Sequence, residues 1–320
     1  MAAAVFALDV PLQADRIGRW MRDAVGQQMR RRGCVVALSG GVDSSLCAAL
    51  AARALGPDKV FGLLLPERES SPDSARRARL LVQALGIAHA EVDITEALQA
   101  LGCYAQRDAA VQRVFPGYEA GWGCRIGIGG GHTGGINFFR LDVQSPDGQR
   151  FSQRLPHREY LQIVAATNFK QRVRKTLEYF HADRLNYAVV GTPNRLEIDQ
   201  GFFVKQGDGT ADLKPIAHLY KTQVFQMARE LGVPAEICEA QPTTDTYTLP
   251  QGQDEFYFAL SHVQMDLALW ALEHQRPAAE LAAALDIPHE QARRVYADIR
   301  AKRAAAAHLL ANGLTVPDTF

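Results

Sequence analysis

Residues 34–45 read Cys34-Val35-Val36-Ala37-Leu38-Ser39-Gly40-Gly41-Val42-Asp43-Ser44-Ser45 and run on into Leu46-Cys47-Ala48-Ala49-Leu50-Ala51-Ala52. A short apolar run, two glycines and a helix-forming stretch predict strand, tight turn and helix. That geometry turns backbone N–H groups and the positive end of a helix toward a phosphate. Gly40 and Gly41 would let a ligand approach the backbone closely. Ser39, Ser44 and Ser45 can donate hydroxyl hydrogen bonds, and Asp43 is placed to hold a magnesium ion. The lysine of the GxxxxGK[ST] loop is missing, so a phosphate cradle of another kind is expected. Taken alone, Ser-Gly-Gly also fits an ordinary strand-to-helix turn with a helix cap.

Outward from this loop, apolar strands alternate with helical patterns. Strands are expected at 34–38, 60–65, 88–94 and 187–190, with helices at 43–55, about 72–85 and 158–183. Ahead of them, Leu12, Ile17, Trp20, Met21, Ala24, Val25 and Met29 recur at helical spacing over 12–31, which predicts an amphipathic helix against the sheet. Alternation of this kind argues for an α/β fold, a doubly wound three-layer parallel sheet of Rossmann-like type. Ligands bind such sheets beyond the carboxyl ends of the strands. A further helix is expected at 219–232, and helices at 254–274, 277–284 and 288–311 make a helical C-terminal extension.

Between 102 and 158 the pattern breaks. Nine glycines crowd residues 117–135, and a turn at Ser145-Pro146-Asp147-Gly148 joins two strand-like runs, which predicts a β-hairpin. The expected organisation is a single domain made of 1–101 and 159–320, interrupted by a glycine-rich insertion at 102–158 without helix. His132 and Cys124 within it are read as incidental.

Composition narrows the function classes. The chain has 320 residues, 47% hydrophobic, with 35 basic and 35 acidic side chains and a net charge of zero. That gives no support for a general nucleic-acid or membrane-surface partner. No apolar run is long enough to span a bilayer, and the first residues do not read as a signal peptide. Cysteines 34, 47, 103, 124 and 238 are scattered without a CxxC pair. Free thiols in a reducing cytoplasm are expected.

Beyond the loop come Asn168-Phe169-Lys170-Gln171-Arg172-Val173-Arg174, GTPNRLE from Gly191 to Glu197, GFFVKQGDGTAD from Gly201 to Asp212, LYKTQV around Lys221, QPTTD around Thr243, and QDE at 253–255. SGGVDSS resembles the pyrophosphate loop of the N-type ATP pyrophosphatases, which transfer AMP from ATP to a substrate oxygen. The full series, over roughly 15–100 and 160–305, resembles the ammonia-dependent NAD synthetase family. GMP synthetase and the thiolation enzymes share the loop but not the GFFxKxGDG segment.

The resemblance implies a ligase that adenylates deamido-NAD with ATP and captures the product with ammonia. It places Ala37, Leu38, Ser39, Gly40, Gly41, Val42, Asp43 and Ser44 along the ATP phosphates, with Thr192, Lys221 and Thr243 also on ATP. Asp43 and Glu197 would hold Mg2+, and Arg172, Lys205, Asp212 and Lys302 would contact deamido-NAD. Asp43, Lys205 and Lys221 would carry the catalysis. A homodimer is implied as well. Each residue also has a plain structural reading: Arg172 a solvated helix charge, Lys221 part of a helix start, and Thr243 a turn residue. Two departures stand out. The family's His-Lys pair near the C-terminus aligns with Ala301-Lys302, and the 102–158 segment is longer than the family's usual connection. Both fall where the acid would be recognised, which keeps open the same chemistry on another carboxylic acid, or a non-catalytic nucleotide binder. No glutaminase domain is read, so nitrogen would come as free ammonia or from a separate donor.

Overall fold

The computed structural model describes residues 5–129, 138–241, 247–249 and 260–316. Four parallel strands form the central sheet: β1 (Cys34–Ala37), β2 (Val60–Leu64), β3 (Ala88–Glu91) and β7 (Ala188–Val190), in the order β3-β2-β1-β7. Register is Cys34 opposite Val60 on one side of β1 and opposite Ala188 on the other. Successive side chains on a strand point to opposite faces, and both faces are buried along β1, β2 and β7, whereas the edge strand β3 is largely exposed. Cys34, Val36, Val60, Leu64, Ala188 and Val190 pack into one core, whereas Val35, Leu63, Leu65 and Val189 pack into another. Near-continuous apolar strands are what a sheet covered on both sides requires.

The first core receives α1 (Val10–Asp23), α2 (Val42–Leu55), α3 (Pro72–Leu85) and α8 (Lys221–Glu230). The second receives α4 (Thr95–Ala100), α5 (Cys103–Val114) and the 29-residue α6 (His157–Leu185). The doubly wound three-layer reading therefore holds. Helix α1 begins two residues earlier than expected, where the Asp9 carboxylate accepts the Leu12 N–H at 2.9 Å, and it ends in a π-helical turn, Ala24–Gln28. Val10, Ala14, Ile17 and Met21 make its buried stripe, while Leu12 and Trp20 face outward.

The expectation of no helix in 102–158 is overturned by α5, whose Cys103, Tyr104, Arg107, Ala110 and Val111 are buried. The hairpin is present: β5 (Phe138–Gln144) and β6 (Arg150–Arg154) pair antiparallel, and β4 (Gly123–Gly129) adds a third strand. Ile126, Leu141 and Val143 of this small sheet close a core with Ala110, Val111 and Ile163 of the flanking helices. At the other end, α7 (Arg195–Gln200), α10 (His262–Glu273), α11 (Ala278–Leu285) and α12 (His289–Leu310) share a fourth core with Phe6 and Tyr220. A short α9 (Ala235–Glu239) follows α8. All five cysteines are buried and free, and burial pushes the Cys34 thiol up to about 12. No helix of the described residues is long and apolar enough to cross a membrane.

Candidate active site

Chain order reverses between β1 and β7, so the segments leaving these two strands diverge and open a crevice at their carboxyl ends. A cavity of about 470 Å³ lies there. Ala37, Leu38, Ser39, Gly40, Gly41, Val42, Asp43 and Ser44 line it from β1, and Gly191 and Thr192 from β7. Gly40 has φ +77°, and a Cβ there would stand 2.2 Å from the Ser74 carbonyl oxygen, so only glycine fits. Gly41 is under no such restriction, because a Cβ would meet only Ser39 Oγ at 3.4 Å. Arg77 from α3 donates to the Gly40 carbonyl at 3.1 Å and fixes the turn from outside. The Ser39 and Ser44 hydroxyls lie 3.2 Å apart on the cavity wall. Ser45 is fully buried and donates back to the Gly41 carbonyl at 2.8 Å, which removes it from the expected donors.

Two carboxylates and one ammonium converge on the start of α2. Lys221, the first residue of α8, is 2% exposed, and its ammonium pairs with the Asp43 carboxylate. Burial lowers the Lys221 pKa, but the charges of Asp43 and Glu197 outweigh it and hold the ammonium above its usual range. Glu197 is raised, first by burial and then by the neighbouring Asp43 charge, with Lys221 pulling the other way. Asn194 ties the pair together. Its Nδ2 donates to Asp43 at 3.0 Å, its backbone N–H donates to Glu197 at 3.0 Å, and its Oδ1 accepts the Glu197 N–H at 3.2 Å. This capping box starts α7 and aims Glu197 at the cavity. The Asn194 role was not expected from sequence, although N-x-x-E at 194–197 is the signature that encodes it.

The chain matches a family model described as NAD synthase over residues 13–114 and 134–305. This chain is a member of the NAD synthase family. A protein of Rhizobium rhizogenes named NH(3)-dependent NAD(+) synthetase is 50% identical over all of this chain and 97% of its own length. One of the same name from Mesorhizobium japonicum is 52% identical over 97% of this chain and 98% of its own. Among solved structures, an NMN synthetase from Francisella tularensis aligns with TM-score 0.68 at 21% identity, covering 98% of this chain and all of that one. An NH3-dependent NAD synthetase from Campylobacter jejuni aligns with TM-score 0.64 at 20% identity, over 97% of this chain and all of that one. These two speak for the fold alone.

Against the NAD synthase pattern, the ATP-side residues 37–44, Thr192, Glu197 and Lys221 all line the cavity, and Thr243 lies outside the described residues. The residues assigned to deamido-NAD do not line it. Arg172 Nε donates to the Lys205 carbonyl at 3.3 Å, so these two residues meet. Lys205 Nζ reaches the His308 and Ala311 carbonyls at 2.8 and 3.2 Å, at the end of α12. Asp212 accepts the Val189 N–H at 2.7 Å and the Tyr179 hydroxyl at 3.2 Å. Lys302 pairs with Asp298 at 2.7 Å, and burial holds its ammonium below the usual lysine range.

Proposed function

We propose that this chain is an ATP-dependent carbon–nitrogen ligase that adenylates the carboxylate of deamido-NAD and amidates it with ammonia, giving NAD, AMP and pyrophosphate. The observation that carries the reading is that residues 37–44, Thr192, Glu197 and Lys221 meet at one cavity, at the sheet's switch point. Half-identity over its whole length to a protein named NH(3)-dependent NAD(+) synthetase supports deamido-NAD as the acid.

The donor set fits magnesium. No group of three or more His, Cys, Asp or Glu side chains that could hold a metal is found among the described residues. Asp43 and Glu197 are two oxygen donors of mutually unfavourable charge. Mg2+ characteristically takes one or two protein carboxylates and completes its shell with substrate phosphates and water. When bound there it would neutralise phosphate charge and help the pyrophosphate depart.

The chain's own groups do the rest. The Ser39 and Ser44 hydroxyls and the N-terminal end of α2 face the phosphates, while the Leu38 N–H stays in the sheet, donating to the Leu63 carbonyl. A carboxylate oxygen of the acid attacks the α-phosphorus of ATP, and the α–β bridging oxygen leaves with pyrophosphate. Lys221 exchanges part of its pairing with Asp43 for the developing pyrophosphate charge. Ammonia then attacks the acyl carbon, loses one proton, and expels AMP carrying the former carboxylate oxygen. Thr192 and Thr243 orient ATP. Arg172, Lys205, Asp212 and Lys302 hold the dinucleotide, and Lys205 and Lys302 would leave their present partners to do so. A homodimer, a cytoplasmic setting, and ammonia taken free or from a separate donor complete the reading. The interrupted-domain organisation, 1–101 with 159–320, belongs to it too.

Oxygen tracing tests the adenylation step. Deamido-NAD labelled with ¹⁸O in its carboxylate should pass one label to AMP. AMP without label, formed alongside NAD, would rule the acyl-adenylate out.

A further inference from the structure

Helix α8 begins at Lys221, and the first backbone N–H groups of a helix have no partner within it. The usual remedy is a serine, threonine, aspartate or asparagine just before the helix. Here Tyr220 holds that position. The donors are satisfied instead from α10, some 45 residues on in the chain. Asp266 Oδ1 accepts the Lys221 N–H at 3.2 Å, and Oδ2 accepts both the Thr222 N–H and its hydroxyl at 2.7 Å. Asp266 is completely buried.

Glu273 lies seven residues later, about two helical turns, and so on the same face of α10. It accepts the Tyr220 hydroxyl at 2.6 Å and pairs with Arg195 at 2.8 Å. Arg195 opens α7, the helix that carries Glu197. One face of a helix in the C-terminal extension thus grips the starts of α7 and α8, the helices that carry Glu197 and Lys221.

We propose that Asp266 is a positioning residue for Lys221, and that α10 acts as the strut that sets the pyrophosphate end of the site. The inference rests on the reading of Lys221 given under Proposed function. A local cap at position 220 would satisfy α8 without burying a charge, and burying a carboxylate is costly. What the distant cap adds is a fixed rotation and height of α8 against the rest of the site. Lys221 is the residue that depends on both. Displacement of such a group by about 1 Å is enough to cost on the order of a hundredfold.

The test is pyrophosphate affinity, measured by titration calorimetry on the full chain with magnesium present. Asp266→Asn puts an amide N–H against the Lys221 or Thr222 N–H, and should weaken the Kd about tenfold with binding still near one per chain. Thr222→Val removes only the hydroxyl bond and should weaken it about threefold. It carries the test if D266N does not fold. An unchanged or tighter Kd, or a fall in stoichiometry at unchanged Kd, would make Asp266 purely structural and overturn the inference. Wild-type protein that binds no pyrophosphate, or K221Q that binds like wild type, would overturn the reading of the site and this inference with it.

Discussion

Asp43 is held from both sides, by Asn194 on one oxygen and Lys221 on the other. That fixes the carboxylate before any ligand arrives, as preorganised charge stabilisation requires. Asp43→Ala should therefore lower turnover by at least about a thousandfold while circular dichroism stays native. Glu197 remains as a charge partner for the buried Lys221. Lys205 carries a different prediction. Its ammonium caps the end of α12, so binding the dinucleotide means trading those carbonyls for a pyrophosphate. Lys205→Ala should raise KM for deamido-NAD about tenfold or more and leave KM for ATP within about twofold, since a lost charge-assisted bond is worth about 1.5–3 kcal/mol. An equal rise for both substrates would remove Lys205 from the dinucleotide site. At this scale the sequence was most informative where one motif contains both the residue and its neighbours, as in residues 37–44. It was least informative for Ser45, whose hydroxyl turns inward to a carbonyl four residues back in the chain.

The elements of the central sheet were legible because β1, β2 and β7 are apolar on both faces and bounded by glycine or proline. Helix α5 was not, for a physical reason. Its inward positions include Arg107, which breaks the apolar stripe, and the guanidinium is paired at 2.6 Å with Glu69, 38 residues away. Lys170 of α6 joins the same buried group, at 2.8 Å from Glu67 and 2.7 Å from Glu69. The network anchors the loop after β2 to both helices. Lys170→Met should destabilise the fold by about 3–5 kcal/mol, because it strips a partner from two buried carboxylates. A chemical-denaturation midpoint equal to wild type would contradict this.

Asp266 allows a pH prediction. Burial raises its pKa first, against the opposing hydrogen bonds from Thr222 and Lys221, to about 6. A carboxyl raised above its unfolded value of about 3.9 takes up its proton more readily when folded. Its ionisation therefore costs stability as pH climbs from 4 to 6. Across that window wild-type stability should fall relative to D266N, and parallel curves would show that Asp266 is ionised throughout.

At the scale of the whole molecule, the described C-terminal helices do not line the cavity but brace elements that do, α10 holding the starts of α7 and α8. Gly201, in the left-handed conformation after α7, leaves room for Ala306 of α12, since a Cβ there would approach the Ala306 side chain to 2.7 Å. Helical periodicity in the sequence showed that an extension exists. Which elements it touches depends on contacts between residues far apart in the chain, such as Asp266 with Lys221, and no local pattern carries those. In the proposed reading, the departure at Ala301 would bear on the acid, not on ATP. The most direct measurement is therefore product formation from ATP, Mg2+ and ammonium, with deamido-NAD present or absent. The account predicts AMP, pyrophosphate and NAD in equal amounts, all dependent on deamido-NAD. Folded protein that releases AMP without forming NAD, or gives no turnover with deamido-NAD, would contradict it.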